Sequence, residues 1–118
     1  DETMDLEESV ANATSTILEG RVDWGMNLEI CDVVSRSDEA AATVVAAVEK
    51  RLKVKDAKVQ SLGLTLIETC VKNCGTPVHA AVGTRTFLGT VASVADEAND
   101  PATKDQALAL IQSWGIAF

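Results

Sequence analysis

Thiol and imidazole chemistry in this chain could come only from Cys31, Cys70, Cys74 and the single histidine, His79. Cys70 and Cys74 are four apart, so on a helix they sit one turn apart. A structural zinc ion takes about four ligands, and His79 does not complete a convincing set. An odd number of thiols in so apolar a chain fits reduced side chains better than a disulfide framework. The expectation is therefore three cysteines used as small hydrophobes, with no metal and no cofactor. No G-x-x-x-x-G-K-S/T phosphate loop occurs, and a lone histidine leaves no Ser-His-acid or Cys-His set with motif support. The carboxylates are plentiful but scattered. These residues point to a binding module rather than an enzyme.

Binding chemistry is concentrated in DWGMNLEICDVV, Asp23 to Val34. At a helical period of about 100° per residue, Met26, Ile30 and Val33 share one side. Trp24, Leu28 and Cys31 fall nearly opposite. Two readings follow. A helix sandwiched between neighbours needs apolar groups on both sides. Alternatively, Trp24 and Leu28, one turn apart, face water and anchor a small apolar patch of a partner. A second candidate is KRLKVKDAK, with five cations, Lys50, Arg51, Lys53, Lys55 and Lys58, against one acid. It reads either as an anionic-lipid patch, with a phosphoinositide membrane as partner, or as a solvated basic helix end, where cations suit the helix dipole.

The elements that must position these groups are helical throughout. A first helix is expected from about Met4 to Leu18, with Val10, Ala13, Thr14, Ile17 and Leu18 inward and Glu19-Gly20 ending it. Asp23 can cap a second helix through Val34, and Ser37 a third to about Leu52. Asp56 can cap a fourth. Its inward face holds Val59, Leu62, Gly63, Leu66, Cys70 and Asn73. Leu64, Ile67, Val71 and Cys74 widen that arc, so this helix should be surrounded by neighbours. Its polar stripe is Ser61, Thr65, Glu68 and Lys72, and Gly75 ends it. A short helix, Pro77 to Val82, follows. Thr84 can cap a sixth to about Ala95, and Asp100-Pro101 starts a last one to about Trp114, with Ala107, Leu110, Ile111 and Trp114 inward. Seven or eight short helices with short loops describe an all-α, solenoid-like stack.

The 118 residues fit one domain. They are 47% hydrophobic but 3% aromatic, which favours closely packed helices over a β-sandwich. A formal net charge of −8 argues against a nucleic-acid partner, because binding phosphate needs cations to displace counterions. It also weakens broad attraction to an anionic membrane. The acidic opening DETMDLEE lacks the pattern of a secretory leader. The chain does not begin with Met and stops at Phe118 just after an apolar segment, so a domain from a longer protein is expected.

Four stretches in order, DWGMNLEICDVV, VQSLGLTLIETCVKNCG, TRTFLGTV and ALALIQSWGIAF, resemble the VHS domain family of endosomal sorting adaptors. The most specific is L-x-L-x-E-x-C-V-x-N-C-G, and the likeness runs from about Leu6 to Phe118. The resemblance implies a right-handed superhelix of eight helices at the N-terminus of a larger cytoplasmic adaptor, peripheral to endosomal or trans-Golgi membranes. It implies ubiquitin or ubiquitinated cargo, and other sorting-machinery proteins, as partners. Trp24 and Leu28 then correspond to the W-x-x-x-L pair that helps bind ubiquitin's apolar patch. Gly25, Asn27 and Asp32 would frame the contact, and Ser61, Thr65, Glu68 and Lys72 of the fourth helix would complete it. One subset of the family, the GGA adaptors, instead holds acidic dileucine signals between the sixth and last helices. Here Arg85 and Lys104 face the intervening acids Asp96, Glu97 and Asp100, which would repel such a peptide. A third relative in fold reads the polymerase tail in the nucleus; the local motifs favour the sorting family.

Overall fold

Six helix starts carry a side-chain oxygen where the first turn exposes unpaired N–H groups. Asp5, Asp23, Ser37, Asp56 and Thr84 each accept from a backbone N–H two or three residues on, and Asp100 accepts from the Thr103 N–H. Each such cap contributes about 1 kcal/mol. The computed structural model describes residues 5–117. The helices these caps begin are α1 (Leu6–Ala13), α2 (Trp24–Val34), α3 (Asp38–Leu52), α4 (Ala57–Cys74), α6 (Arg85–Glu97) and α7 (Pro101–Ala117). The short α5 (Thr76–Val82) has no side-chain cap and follows directly on Gly75. Gly75 has φ +74°, a left-handed turn out of α4 that a side chain would strain.

Seven α-helices and one 3-10 turn (Thr16–Leu18) therefore make up the described residues, wound as a right-handed all-α superhelix. α3 packs on α1, α2, α4, α5 and α6, while α4 packs on α1, α2, α3, α5 and α7. The α3–α4 approach is close: a Cβ on Gly63 would come within 3.2 Å of Leu52 Cδ2. The core is mostly Val, Leu, Ile and Ala, with Phe87 and Trp114 as its large rings, 6.4 Å apart between α6 and α7.

The first helix is shorter than the periodicity predicts. It ends at Ala13 instead of Leu18, and its expected start at Met4 lies outside the described residues. Val10, Ala13 and Thr14 are buried as expected, but Ile17 is 85% exposed in the 3-10 turn. The physical reason is Thr14. Its hydroxyl donates to the Val10 carbonyl and accepts from Arg51 Nε at 2.8 Å, and Arg51 also donates to the Thr14 carbonyl at 3.1 Å. The arginine takes the carbonyl that a continuing helix would use, and the chain leaves the axis there. Three other ends move by one to three residues: α5 begins at Thr76, α6 ends at Glu97 and α7 at Ala117.

Because Arg51 satisfies two acceptors on the buried Thr14, Arg51→Ala should destabilise the domain by about 1–3 kcal/mol. Arg51→Lys should recover little of that, since an ammonium cannot present the same fixed pair of donors. Urea denaturation of both variants measures this.

Candidate functional site

α2 begins at Trp24, directly after its cap Asp23, whose side chain accepts from the Met26 N–H at 3.0 Å. This fixes which residues look outward. Ile30, Cys31 and Val34 are buried, and Met26 and Val33 are half-buried. Trp24 and Leu28 remain 55% and 56% exposed. The second apolar stripe thus divides: its first two members face water, and its third, Cys31, is sealed against α4. Gly25 and Asp32 are exposed beside the pair, and Asp32 is ion-paired with Arg36.

Asn27 does not frame this surface. It is 1% exposed, and its Oδ1 accepts no hydrogen bond among the described residues. Its position explains this: Asn27 is one turn before Cys31, on the side of α2 turned to the core.

The α4 stripe also divides. Ser61 Oγ donates to Gln106 Oε1 at 2.8 Å, and Gln106 Nε2 donates to Thr65 Oγ1 at 3.0 Å and to the Ser61 carbonyl. Both α4 residues are half-buried and bound to α7, so they are not open surface. Glu68 and Lys72 do reach solvent, paired at 3.2 Å. They lie about 160–200° around α4 from Cys70, the residue that touches α2, hence on the side away from that seam. The polar residues nearer the seam are Thr69 and Asn73. Thr69 donates to the Thr65 carbonyl, and Asn73 to the Thr69 carbonyl. Asn73, expected inward, is exposed. The signal for this strip was the four-residue spacing of Thr65, Thr69 and Asn73.

The basic segment is dispersed by folding. Lys50 pairs with Glu7, Lys53 with Glu49 and Lys55 with Glu97. Arg51 is spent on Thr14. The Lys58 stem lies 3.6–3.9 Å from where a Cβ on Gly20 would be. Three of the five cations therefore carry their own counter-charge. Between α6 and α7 an apolar groove is lined by Leu88, Ala92, Ile111 and Trp114. Arg85 is the one charged residue on its lining, and Lys104 is not part of it.

All three cysteines are buried, and folding brings Cys31 to the other two. Cys31 and Cys70 sulfurs are 3.4 Å apart, and Cys74 Sγ donates to the Cys31 carbonyl at 3.3 Å. The hydrogen bond from Cys70 lowers Cys31 to about 7, against the opposing effect of burial. The same hydrogen bond, with burial, raises Cys70. Burial and the Cys31 charge push Cys74 up to about 12.

Stability must follow pH accordingly. Between pH 7 and the ordinary thiol value of 9.0, the unfolded chain holds a proton that folded Cys31 has lost, so stability rises with pH. Above 9.0 the folded chain retains protons on Cys70 and Cys74 that the unfolded chain has lost, so stability falls. Cys74→Ala should flatten the alkaline arm. Denaturant midpoints for the two proteins across this pH range test it.

A VHS-domain family model matches residues 1–118. TOM1-like protein 6 of Arabidopsis thaliana is 43% identical over 110 residues, 93% of this chain and 16% of that protein. The class E vacuolar protein-sorting machinery protein HSE1 of Mycosarcoma maydis is 39% identical over 114 residues, 95% of this chain and 19% of that protein. The chain thus spans less than a fifth of the length of either relative. The crystal structure of the VHS and FYVE tandem domains of Hrs, a protein involved in membrane trafficking and signal transduction, superposes with a TM-score of 0.84 at 28% identity. That match covers 98% of this chain and 53% of the Hrs chain. Motifs, superhelix and the match along the whole length agree, and the chain belongs to the VHS domain family.

Proposed function

We propose that this domain is the N-terminal ubiquitin-binding module of a longer membrane-trafficking adaptor that sorts ubiquitinated cargo at endosomal membranes. The observation that carries this reading is the outward Trp24–Leu28 pair. An indole and an isobutyl group over half exposed and one turn apart form a contiguous apolar patch, the kind of surface feature that marks an interaction site where a lone exposed side chain does not. A relative named for vacuolar sorting and a structural neighbour described as involved in membrane trafficking support the adaptor role. Gly25 lacks a side chain that would hold a partner off, and the exposed Asp32 and Asn73 can offer polar contacts at the rim. So small an interface binds weakly and transiently, and further ubiquitin-binding modules in the same protein would raise the effective affinity.

The test is a titration of the isotope-labelled domain with mono-ubiquitin, following amide shifts. Shifts confined to α2 and the adjoining side of α4 support the reading. No shift at millimolar ubiquitin, with the domain folded, overturns it.

A further inference from the structure

Cys31 of α2 and Cys70 and Cys74 of α4 hold their three sulfurs within 4.8 Å of one another, and the ubiquitin reading uses none of them. Their contacts are unequal. Cys31 and Cys70 meet sulfur to sulfur at 3.4 Å, while Cys74 turns its thiol to a backbone carbonyl. A disulfide is about 2.05 Å long, so the first pair needs only about 1.4 Å of further approach. We propose that Cys31 and Cys70 are a reversible, peroxide-sensitive dithiol–disulfide pair that cross-links α2 to α4, with Cys74 held out of it.

The donor set favours a disulfide over a bound metal ion. Zinc takes four ligands, and only three sulfurs converge among the described residues; His79 is hydrogen-bonded to the Val71 carbonyl. A disulfide is neutral and matches its apolar surroundings.

The chemistry starts at Cys31, whose thiolate the Cys70 S–H supports. That thiolate attacks one oxygen of hydrogen peroxide and the O–O bond breaks. The departing hydroxide takes up a proton and leaves as water, and Cys31 becomes a sulfenic acid. The Cys70 sulfur then attacks the Cys31 sulfur and the S–O bond breaks. The second hydroxide leaves with the Cys70 proton as water. Each sulfur loses one electron and the peroxide gains two. Cys31 keeps 5% of its surface accessible, and brief local opening of α2 can widen the path for so small an oxidant.

The test treats the reduced domain with hydrogen peroxide, alkylates residual thiols in denaturant and maps the peptides. The expected product is an intramolecular Cys31–Cys70 cross-link with Cys74 alkylated. It should be reversed by dithiothreitol and form faster as pH rises through 7. Cys74→Ala should keep the cross-link, and Cys70→Ala should leave Cys31 as a sulfenic acid that dimedone traps. Should Cys70→Ala fail to fold, the wild-type map decides alone. A cross-link through Cys74, dimers only, or three free thiols at doses that oxidise the unfolded chain would overturn the proposal. So would one equivalent of zinc that survives dialysis against a chelator and blocks the thiols. None of these results depends on whether the domain binds ubiquitin.

Discussion

If the proposed ubiquitin surface is right, Trp24→Ala should lower the affinity for mono-ubiquitin at least about tenfold and leave helix content and thermal midpoint almost where they were. The size follows from the side chain. Central Trp anchors in interfaces commonly contribute about 2 kcal/mol or more, and 1.4 kcal/mol is a factor of ten. The small effect on folding follows from position. Trp24 is the first residue of α2 and over half exposed, its cap comes from Asp23, and alanine is the better helix former. Leu28→Ala should act in the same direction. Because the two side chains would share one patch, the double variant should lose less than the sum of the singles. Calorimetric or shift titrations give the affinities and circular dichroism the folding. A Trp24→Ala chain that unfolds would show that the indole is needed by the core, and the binding reading would lose its anchor.

Phe87→Ala is expected to do the reverse. Phe87 is fully buried on α6 and packs beside Trp114 of α7. Removing the ring deletes buried apolar area and leaves a cavity that α6 and α7 can close only in part, at a cost of about 3–5 kcal/mol. For a domain of this size that corresponds to a fall in thermal midpoint of roughly 10–25 °C. The ubiquitin affinity of the molecules that remain folded should not change, since α6 contributes nothing to the Trp24–Leu28 surface. Thermal melts and a titration below the new midpoint measure the two effects separately. The pair of variants divides anchor from core: one loses binding and keeps stability, the other loses stability and keeps binding.

Much of this architecture was legible because it is written locally. The caps Asp23, Ser37, Asp56, Thr84 and Asp100 act within three residues, and the helices they predict begin where expected. The L-x-L-x-E-x-C-V-x-N-C-G stretch placed the family. What the sequence did not disclose depends on groups far apart in the chain. Thr14 ends α1 because Arg51, 37 residues on, reaches it; no local rule places Ile17 outward. Ser61 and Thr65 look like free polar surface until Gln106 of α7 claims them. Asn27 sits among residues correctly read as exposed, yet faces inward, because the boundary between the wet and packed sides of α2 falls between Asn27 and Leu28. Helical periodicity gives the angle of each residue around its axis but not the direction from which neighbours arrive. The cysteines make the same point: spacing related Cys70 to Cys74, and only the packing of α2 on α4 brought in Cys31.

α3 touches helices on both sides of itself in the chain order, α1 and α2 as well as α4, α5 and α6. In an open array, where each unit meets only its immediate neighbours, one end can melt while the other persists. Here the third helix is a hub, so peeling away either end strips apolar cover from the same element. Loss of order should therefore propagate through the whole domain at once, and a fragment cut from either side of the hub would have no complete interior of its own.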